Sequence, residues 1–382
     1  MPAPNDAPYP TNYGQQISMA FDANGDPALA YLRVDPNDDG ELSDTSLYFI
    51  SWNRSHYRWN PPVKVATTKD TTSSSNVFNL SLAFDSSNGR FGVEFEVGGS
   101  AVEVALSSDG GVTLKPSTVA SDTQNLFKNA SLAMAGGNVY LAFYHDYDGI
   151  RYVTGKETDS PDQWASSLAP TLPKAPTVRP EGVHLALDGA GKPALVYWLD
   201  GDNYNVNLAF WRPGSPAAIK VTDSKNNQND DPDVSLTFDG PKPRIALWLA
   251  RDDQFVQNQH QIWVTGSNDG QTWSDPVPLP PDGGQSFGGR LAITIGSAGQ
   301  AAVTAWINGG NSGGSICGQP KLIRSSDLVH WKTCAPGADA TTGSDGLYPA
   351  ILFAGNDKLY LAFQNPDPAF PPGMGVFLWR EP

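Results

Sequence analysis

Short apolar stretches and polar turns alternate along the whole chain. In each repeat, a stretch with apolar residues at alternating positions runs into a turn rich in Asp, Gly or Asn, and a second apolar stretch that ends in an aromatic residue follows. Such alternation predicts half-buried strands, and the turn residues predict hairpins. Seven copies of this hairpin occur, at 17–22 and 28–31, 80–85 and 91–95, 130–134 and 139–143, 183–188 and 194–198, 234–239 and 245–248, 291–295 and 302–306, and 350–354 and 359–363.

The distance between successive copies predicts the architecture. It is roughly 45–60 residues, which suits one four-stranded propeller blade per copy. Third and fourth strands follow the hairpin, for example at 47–51 and 63–66. We therefore predict an all-β fold with a single β-propeller of seven four-stranded blades, and six blades as the alternative. A pair of β-sandwiches fits less well, because seven near-equal copies follow one another without a linker.

The blade boundaries leave ring closure open. One propeller domain is predicted over 1–382, with blades at 14–70, 71–121, 122–171, 172–225, 226–281, 282–341 and 342–382. The last copy ends after its third strand, at 375–379, so its fourth strand would have to come from the N-terminus or be absent. The segment 7–13 contains proline and makes a poor strand, so residues 1–13 are a tail or a closing segment.

Composition supports a large core and narrows the partners. Hydrophobic residues make up 39% of the chain, and 38 Gly and 32 Pro are spread along it, which suits many short strands and turns. The formal net charge of −15 leaves no basic footprint for nucleic acid or for an anionic membrane. No apolar run approaches the length of a membrane span. We expect an acidic, monomeric protein that is secreted or periplasmic.

Two features of the sequence bear on export. The chain starts Met1-Pro2-Ala3-Pro4, which we interpret as the start left after removal of a signal segment. Its two cysteines, Cys317 and Cys334, flank a predicted strand at 321–324 and the turn after it. Ends of neighbouring strands lie within bridging distance, so we expect a disulfide, with two reduced thiols as the alternative.

Three predicted turns between third and fourth strands share a motif. Residues 107–114 read Ser-Ser-Asp-Gly-Gly-Val-Thr-Leu, residues 266–273 read Gly-Ser-Asn-Asp-Gly-Gln-Thr-Trp, and residues 325–331 read Ser-Ser-Asp-Leu-Val-His-Trp. The first matches the pattern Ser-x-Asp-x-Gly-x-Thr-Trp except at its last position, and the second matches it with Gly266 for Ser and Asn268 for Asp. In such a turn the carboxylate accepts bonds from amides, glycine supplies a positive φ, and Trp packs between sheets.

These turns resemble the Asp boxes (BNR repeats) of sialidase-like propellers. In that superfamily the boxes lie on the outside and are structural, so the resemblance implies an architecture and says little about chemistry. It would place the nucleophilic Tyr at Tyr348, the second substrate-binding arginine at Arg251 and the Glu partner of the Tyr at Asp231 or Asp233. The early Arg-Ile-Pro motif is missing at 77–79, and the third arginine has at best Lys321 in its place. We therefore do not expect a true sialidase.

A ligand of a propeller usually binds at the face where the inner strands begin, over the central channel. The polar residues predicted at that face differ from blade to blade, which favours one asymmetric site over one site per blade. The substrate-binding candidates are Arg179, Arg251, Arg290, Trp198 and Asn308. Several arginines on one face of an acidic protein suit an anionic glycan, although they could instead pair with neighbouring acids.

The catalytic candidates lie at the same predicted face. His145, in Tyr144-His145-Asp146-Tyr147, is the best one, because an imidazole transfers protons near neutral pH. With Tyr348 or Tyr144 as the acid it would suit β-elimination from a uronate. Glu181 with Asp233 would instead suit glycoside hydrolysis, which uses two carboxylates. A loop histidine is more often a surface residue, and His184, within an inner strand, is either channel-lining or core.

One acidic loop suggests a calcium ion. Residues 35–44 read Asp-Pro-Asn-Asp-Asp-Gly-Glu-Leu-Ser-Asp, which follows the first half of an EF-hand loop without its final Glu. The candidate ligands are Asp35, Asn37, Asp39, Glu41 and Asp44, and the ion would be structural. An ordinary solvated loop is the alternative. No organic cofactor is expected.

Three functions are compatible with these sequence features. We expect a secreted carbohydrate-active enzyme that cleaves an extracellular, acidic glycan at one central site, as a glycoside hydrolase or a polysaccharide lyase. A non-catalytic carbohydrate-binding lectin or adhesin is the alternative, because Trp and Tyr near loops stack on sugars and no catalytic motif is complete. A protein-interaction scaffold is the third, without a specific feature in its favour.

Overall fold

The computed structural model describes residues 13–36, 42–69, 80–122, 127–172, 178–200, 205–225, 233–249, 261–279, 287–307, 319–334, 347–365 and 375–381. These residues form 28 β-strands and one short 3-10 turn, Pro161–Gln163. The strands are grouped in seven antiparallel sheets, in which strands adjacent in sequence pair with one another.

The first four sheets correspond to blades one to four. They comprise β1 (Tyr13–Phe21), β2 (Pro27–Pro36), β3 (Leu42–Asn53), β4 (Arg58–Trp59) and β5 (Val63–Lys69); β6 (Leu80–Asp85), β7 (Arg90–Val97), β8 (Ala101–Leu106) and β9 (Lys115–Ser121); β10 (Phe127–Ala135), β11 (Asn138–His145), β12 (Gly149–Lys156) and β13 (Ala165–Leu168); and β14 (Val178–Leu187), β15 (Pro193–Asp200), β16 (Asn205–Trp211) and β17 (Ile219–Lys225).

The last three sheets correspond to blades five to seven. They comprise β18 (Val234–Asp239), β19 (Lys242–Leu249), β20 (Gln261–Gly266) and β21 (Val277–Pro278); β22 (Phe287–Ile295), β23 (Ala301–Ile307), β24 (Gln319–Ser325) and β25 (Trp331–Cys334); and β26 (Leu347–Phe353), β27 (Leu359–Asn365) and β28 (Gly375–Arg380). The seven-bladed, all-β propeller predicted from the repeat is confirmed.

The sheets close into a ring around a central channel. The first strand of each sheet, here called the inner strand, contacts the inner strands of both neighbouring blades, and β26 contacts β1. We call the end at which inner strands begin the upper face and the opposite end, with the turns after them, the lower face. Within the described chain, blade seven has three strands and joins blade one through apolar packing that includes Met19, Tyr31, Tyr360 and Val376.

The core is divided among the interfaces between blades. Seven clusters of buried apolar side chains lie one at each interface, including that between blades seven and one. A sheet strand turns alternate side chains to opposite faces, and in a ring of blades both faces meet a neighbouring blade. Burial of this apolar surface on both faces is what holds the blades together.

A seam of polar side chains joins the inner strands across the channel wall. Each inner strand has one edge that no strand covers, so its amide groups need other acceptors. On β6, β10, β14, β18 and β22 the preceding blade supplies an acceptor for one amide, from one equivalent position. Ser18 Oγ accepts from the Leu82 amide (2.9 Å), Ser81 Oγ from that of Leu132 (3.1 Å), Ser131 Oγ from that of Leu185 (3.1 Å), His184 Nδ1 from that of Leu236 (3.3 Å) and Ser235 Oγ from that of Ile293 (3.2 Å).

The lower-face turn at 107–114 folds as its sequence predicts. Ser107 donates to the Asp109 carboxylate (2.8 Å), which accepts from the amide (2.9 Å) and the hydroxyl (2.7 Å) of Thr113. These bonds from Thr113 lower the pKa of Asp109 to about 2.

The second turn corrects the sequence alignment by one residue. Ser267 is the donor in place of Gly266, and the carboxylate that it meets at 2.9 Å belongs to Asp269, so Asn268 does not stand in for the motif's Asp. Asp269 accepts from the amide of Thr272 (2.8 Å). The turn is one residue shorter than that at 107–114, because Thr272 follows Asp269 by three positions whereas Thr113 follows Asp109 by four.

A fourth turn of this kind was not predicted. Asn53 accepts from the amide of His56 (3.2 Å), as Asp327 accepts from that of His330 (2.8 Å). The sequence signal was the shared spacing of the Asn or Asp and the His, which a search for aspartate alone passes over.

Candidate ligand-binding face

The upper ends of the inner strands are irregular. Register shifts interrupt the pairing of β1, β10, β14, β22 and β26 with their second strands, in each case near the upper face. Such bulges re-aim side chains and are frequent beside binding sites. Four predicted site residues lie in them: Arg179 and Glu181 in β14, Arg290 in β22 and Tyr348 in β26. The structure thus brings their backbones to one face.

A cavity of about 420 Å³ lies between the inner strands. Its size is within the usual range of ligand pockets. Its wall combines leucine and isoleucine side chains with the polar seam, including Ser81, Ser131 and Ser235. These hydroxyls hold neighbouring amides, so the lining is polar but carries little charge.

His184 is channel-lining, one of the two alternatives that its sequence position left. It takes the place that serine has on four other inner strands, and its Nδ1 accepts from the Leu236 amide. The proton of the neutral ring is therefore on Nε2. Burial lowers the pKa of His184 to about 4, so the ring is uncharged at neutral pH.

Asp233 links two blades. Its Oδ2 accepts from the Leu291 amide at 2.6 Å and its Oδ1 from the Val234 amide at 2.9 Å. The carboxylate therefore fixes the start of β18 to β22 in the next blade. It lines the upper part of the channel, as predicted, but two backbone amides already occupy its oxygens.

His145 is held between two carboxylates at the top of blade three. Its Nδ1 lies 3.0 Å from Oδ2 of Asp148 and its Nε2 lies 3.3 Å from Oδ2 of Asp122. The ring stacks on Phe127, with centroids 4.8 Å apart, and is buried. Arg151 also bonds Asp148, and this bond holds the pKa of Asp148 below its usual value. Both imidazole nitrogens are thus engaged, which suits a positioning role better than proton transfer to a substrate.

The turn that this cluster supports presents an aromatic ring to solvent. Tyr147, at the tip of the turn between β11 and β12, is 82% exposed. Asp148, in the same turn, is bonded to His145 and Arg151 at its base. A rigid support of this kind lowers the cost of ordering the turn when a ligand binds. An exposed tyrosine on a fixed turn can stack on the apolar face of a sugar ring.

Two other predicted residues are buried. Trp198 is 0% exposed, in the cluster between blades four and five, and Tyr144 lies in the cluster between blades three and four. The prediction that Trp198 binds substrate does not fit this position, since no face of its ring reaches solvent. Alternation along β15 explains the difference, because its side chains point into the neighbouring blades and not up to the rim.

The remaining predictions concern residues outside the described ranges. Arg251 and Asn308 lie there, as do Asn37, Asp39 and Glu41 of the calcium loop and Cys317 of the disulfide. The antiparallel pairing of β2 with β3 places Asp35 opposite Asp44. Among the residues that the structure describes, no group of three His, Cys, Asp or Glu side chains is placed to hold a metal, and no helix is long and apolar enough to cross a membrane.

The burial of four acidic residues was not predicted from the sequence. Glu94, Glu96, Asp85 and Glu157 lie between blades two and three. On β7 the acids alternate with apolar residues, and such alternation normally indicates a solvent-facing side. The predicted ring could have indicated their burial, because in a ring of blades both faces of a second strand are covered by neighbouring blades.

Comparison with known proteins identifies the fold. No known family model and no curated protein matches the chain. The BP39L lectin from Burkholderia pseudomallei superposes with a TM-score of 0.59 at 12% identity, over 96% of this chain and 95% of that one. A point mutant of the NanB sialidase from Streptococcus pneumoniae gives 0.52 at 11% identity, over 100% of this chain and 69% of that one. AofleA from Arthrobotrys oligospora gives 0.51 at 10% identity, over 86% and 87%.

Proposed function

We propose that this chain is a carbohydrate-binding propeller, and that its upper face at blade three forms part of the binding site. The observation that carries the proposal is the exposed ring of Tyr147 on a turn fixed by His145, Asp148 and Arg151. A tyrosine stacks on the C–H face of a pyranose, and carboxylates beside it accept from sugar hydroxyls. The likeness in fold to a lectin and to a sialidase is consistent with this proposal.

The charge at blade three bears on the class of sugar. Asp122 and Asp148 lie there on either side of His145, and Arg151 bonds Asp148. Carboxylates accept hydrogen bonds from hydroxyl groups, so this part of the face suits neutral, hydroxyl-rich sugars. An anionic glycan would depend on the arginines at 179, 251 and 290, which the sequence predicts at the same face. The anionic ligand therefore stays a prediction, as do secretion and the monomeric state.

Cleavage of the glycan is the second candidate. It is favoured by the bulges of β14, β22 and β26, which carry the backbones of Arg179, Glu181, Arg290 and Tyr348 to one face. We place binding first because His145 and Asp233, two of the predicted catalytic groups, already bond other groups of the protein.

A glycan array followed by titration calorimetry tests the proposal. Tyr147→Asn should weaken binding at least tenfold without lowering Tm, because the ring is exposed. Tyr57→Asn is the matched control: Tyr57 is also 82% exposed at the tip of a turn, but on the lower face. Equal affinities of the two variants would refute the site, and absence of binding to every neutral and acidic glycan would refute the function.

The same incubations separate binding from cleavage. New reducing ends would indicate a hydrolase, and reducing ends with unsaturated-uronate absorbance would indicate a lyase. Bound glycan recovered unchanged supports the binding protein.

A further inference from the structure

Buried acids are concentrated in one interface of the ring. In the described chain five Asp or Glu residues are buried, and four of them, Asp85, Glu94, Glu96 and Glu157, lie between blades two and three. The fifth, Asp26, is neutralised by a bidentate bond from Arg54. An ionised carboxylate in such a position is costly unless it is paired or hydrogen-bonded. Whether each of these four carboxyl groups is ionised therefore depends on its hydrogen-bond and ion-pair partners.

The upper pair is Glu94 and Glu96, which point from β7 toward blade three. Glu96 accepts from the Ala130 amide at 3.3 Å. Neither carboxyl oxygen of Glu94, which is 0% exposed, has a hydrogen-bond partner among the described residues. Burial, with Glu96 beside it, raises the pKa of Glu94 well above its usual value.

Among the side chains that the structure describes, no positive group bonds the carboxyl oxygens of Glu94. The residues opposite it in the sheet are Ser81 on β6 and Val104 on β8. Glu96, two residues further along β7, acts on Glu94 and raises its pKa further. The other charged side chains that the structure describes on β6, β7 and β8 are at strand ends or bonded elsewhere: Asp85 ends β6, Arg90 starts β7, and Glu103 accepts from Thr118. The one charged residue of β10, Lys128, is the second residue of that strand.

The lower pair is Asp85 and Glu157, which meet at the lower face. Asp85 accepts from the Gly137 amide of blade three at 2.5 Å, and its amide bonds hold its pKa below the usual value despite burial. Glu157 accepts from Asn88 at 2.6 Å, and Arg90 lies 3.6 Å from it. Burial, opposed by Asn88 and reinforced by Asp85, raises the pKa of Glu157 to about 7.

We propose that the interface between blades two and three is a proton-dependent joint, closed while Glu94 and Glu157 carry protons and loosened before the other interfaces when rising pH removes them. Each deprotonation releases one proton to solvent and leaves two carboxylates facing each other, Glu94 against Glu96 and Glu157 against Asp85. The bonds that cross the joint at its two ends, from Ala130 to Glu96 and from Gly137 to Asp85, are then opposed by repulsion.

The sign of the effect follows from linkage. A carboxyl with a folded pKa above the unfolded one favours the folded state below the unfolded pKa, and this contribution is lost as pH rises through the folded pKa. For Glu157 the window runs from its ordinary value of 4.5 to about 7, and for Glu94 it begins at the same value and ends higher. For each proton that the folded state retains, the unfolding equilibrium constant rises about tenfold per pH unit inside the window.

Denaturant unfolding between pH 5 and 8 tests the joint in Glu94→Gln, Glu157→Gln and the double variant, since glutamine resembles the protonated acid. Each single variant should reduce the pH dependence of the equilibrium constant by up to tenfold per pH unit relative to wild type, and the double variant by up to a hundredfold. Glu103→Gln, a less buried glutamate of the same blade, should leave it unchanged. The histidines are the same in wild type and variants, so their contribution to the pH dependence of unfolding cancels when a variant is compared with wild type.

Hydrogen exchange on the wild-type protein provides a test that does not depend on the folding of any variant. Protection factors, corrected for intrinsic exchange, should fall with pH first in peptides covering β7 and β10, and later in β22 and β26. Equal pH dependence of unfolding in wild type and the double variant, or simultaneous loss of protection in all blades, would overturn the proposal.

Discussion

The Oγ atom of Ser131 lies 3.1 Å from the amide nitrogen of Leu185 and 3.4 Å from its carbonyl oxygen, so one hydroxyl satisfies both backbone groups of a residue in the next blade. The same relation joins Ser81 to Leu132. The uncovered edge of each of these inner strands is thus capped by a side chain of the preceding blade, which links neighbouring blades along the channel wall.

Replacing Ser131 by alanine should destabilise the protein by about 1–3 kcal/mol, because a buried amide loses its acceptor. Denaturant unfolding measures the loss. Ser166→Ala on β13, where the serine is exposed, is the matched control and should be within about 0.5 kcal/mol of wild type. Equal stability of the two variants would show that the seam does not hold the blades.

His184 should make stability depend on pH in the acidic range. Its folded pKa of about 4 lies below its ordinary value of 6.5, so the unfolded chain binds the extra proton and stability is lost as pH falls from 6.5 toward 4. The loss attributable to this residue is up to about 3 kcal/mol.

The variant His184→Ser restores the residue found on four other inner strands and removes the titration. Unfolding of wild type and variant at pH 7 and at about pH 4.5, inside the window set by the two pKa values, measures the difference. A variant that loses as much stability as wild type between these values would contradict the burial of the ring.

Leu328 carries backbone strain that glycine would relieve. Its φ of 63° is left-handed, and the equivalent residues of the turns at 107–114 and 267–273 are Gly110 and Gly270. Leu328→Gly should stabilise the protein by about 1 kcal/mol, the usual cost of a left-handed L-residue.

Gly110→Ala is the reciprocal test. A Cβ there would meet nothing within 4 Å, so the expected loss of about 1 kcal/mol is conformational alone. Thermal unfolding measures both variants, and shifts of the same sign would contradict the assignment of strain.

Gly155 allows Trp164 to pack directly on the backbone of β12. A Cβ at Gly155 would lie 1.9 Å from Cδ1 of Trp164, so Gly155→Ala should cost about 3 kcal/mol through displacement of the indole. Gly355→Ala, where a Cβ meets nothing within 4 Å, is the control and should be near neutral. Fluorescence of the tryptophans should change in the first variant, and an unchanged Tm there would contradict the packing.

Removal of divalent cations tests the predicted calcium loop between β2 and β3. If Ca²⁺ at about 100 times its Kd binds the folded state alone, EDTA should lower the free energy of unfolding by about 2.7 kcal/mol. Asp44→Asn, at the position opposite Asp35, should reduce this response. A Tm that does not change on addition of EDTA would contradict the prediction of a stabilising calcium ion.

The hairpins were predictable because they depend on local sequence. Alternation along 80–85 and 91–95, with a turn between them, was enough to place β6 and β7, and the repeat of that unit predicted the ring. The alignment of the second lower-face turn to the motif was wrong by one residue. It paired Gly266 with Asn268, whereas the hydrogen bond in the structure joins the adjacent residues Ser267 and Asp269. The length of the folded turn decides which of the two pairs forms the bond.

The candidate site was predicted in part. The sequence indicated that His145 lies at the upper face, since it ends a second strand, but its two carboxylate partners come from the turn after β11 and from the segment before β10. Trp198 was expected at the same face and is instead enclosed between two blades.

The sequence by itself determined the seven hairpins and their order, because hairpin formation depends on residues close together in the chain. Only the tertiary structure decided which faces of the strands are buried. Alternation on β7 indicates one apolar and one wet side, but the ring stacks a blade against each side. Glu94 is buried for that reason, and its charge depends on a neighbouring blade whose first strand, β10, begins only at Phe127.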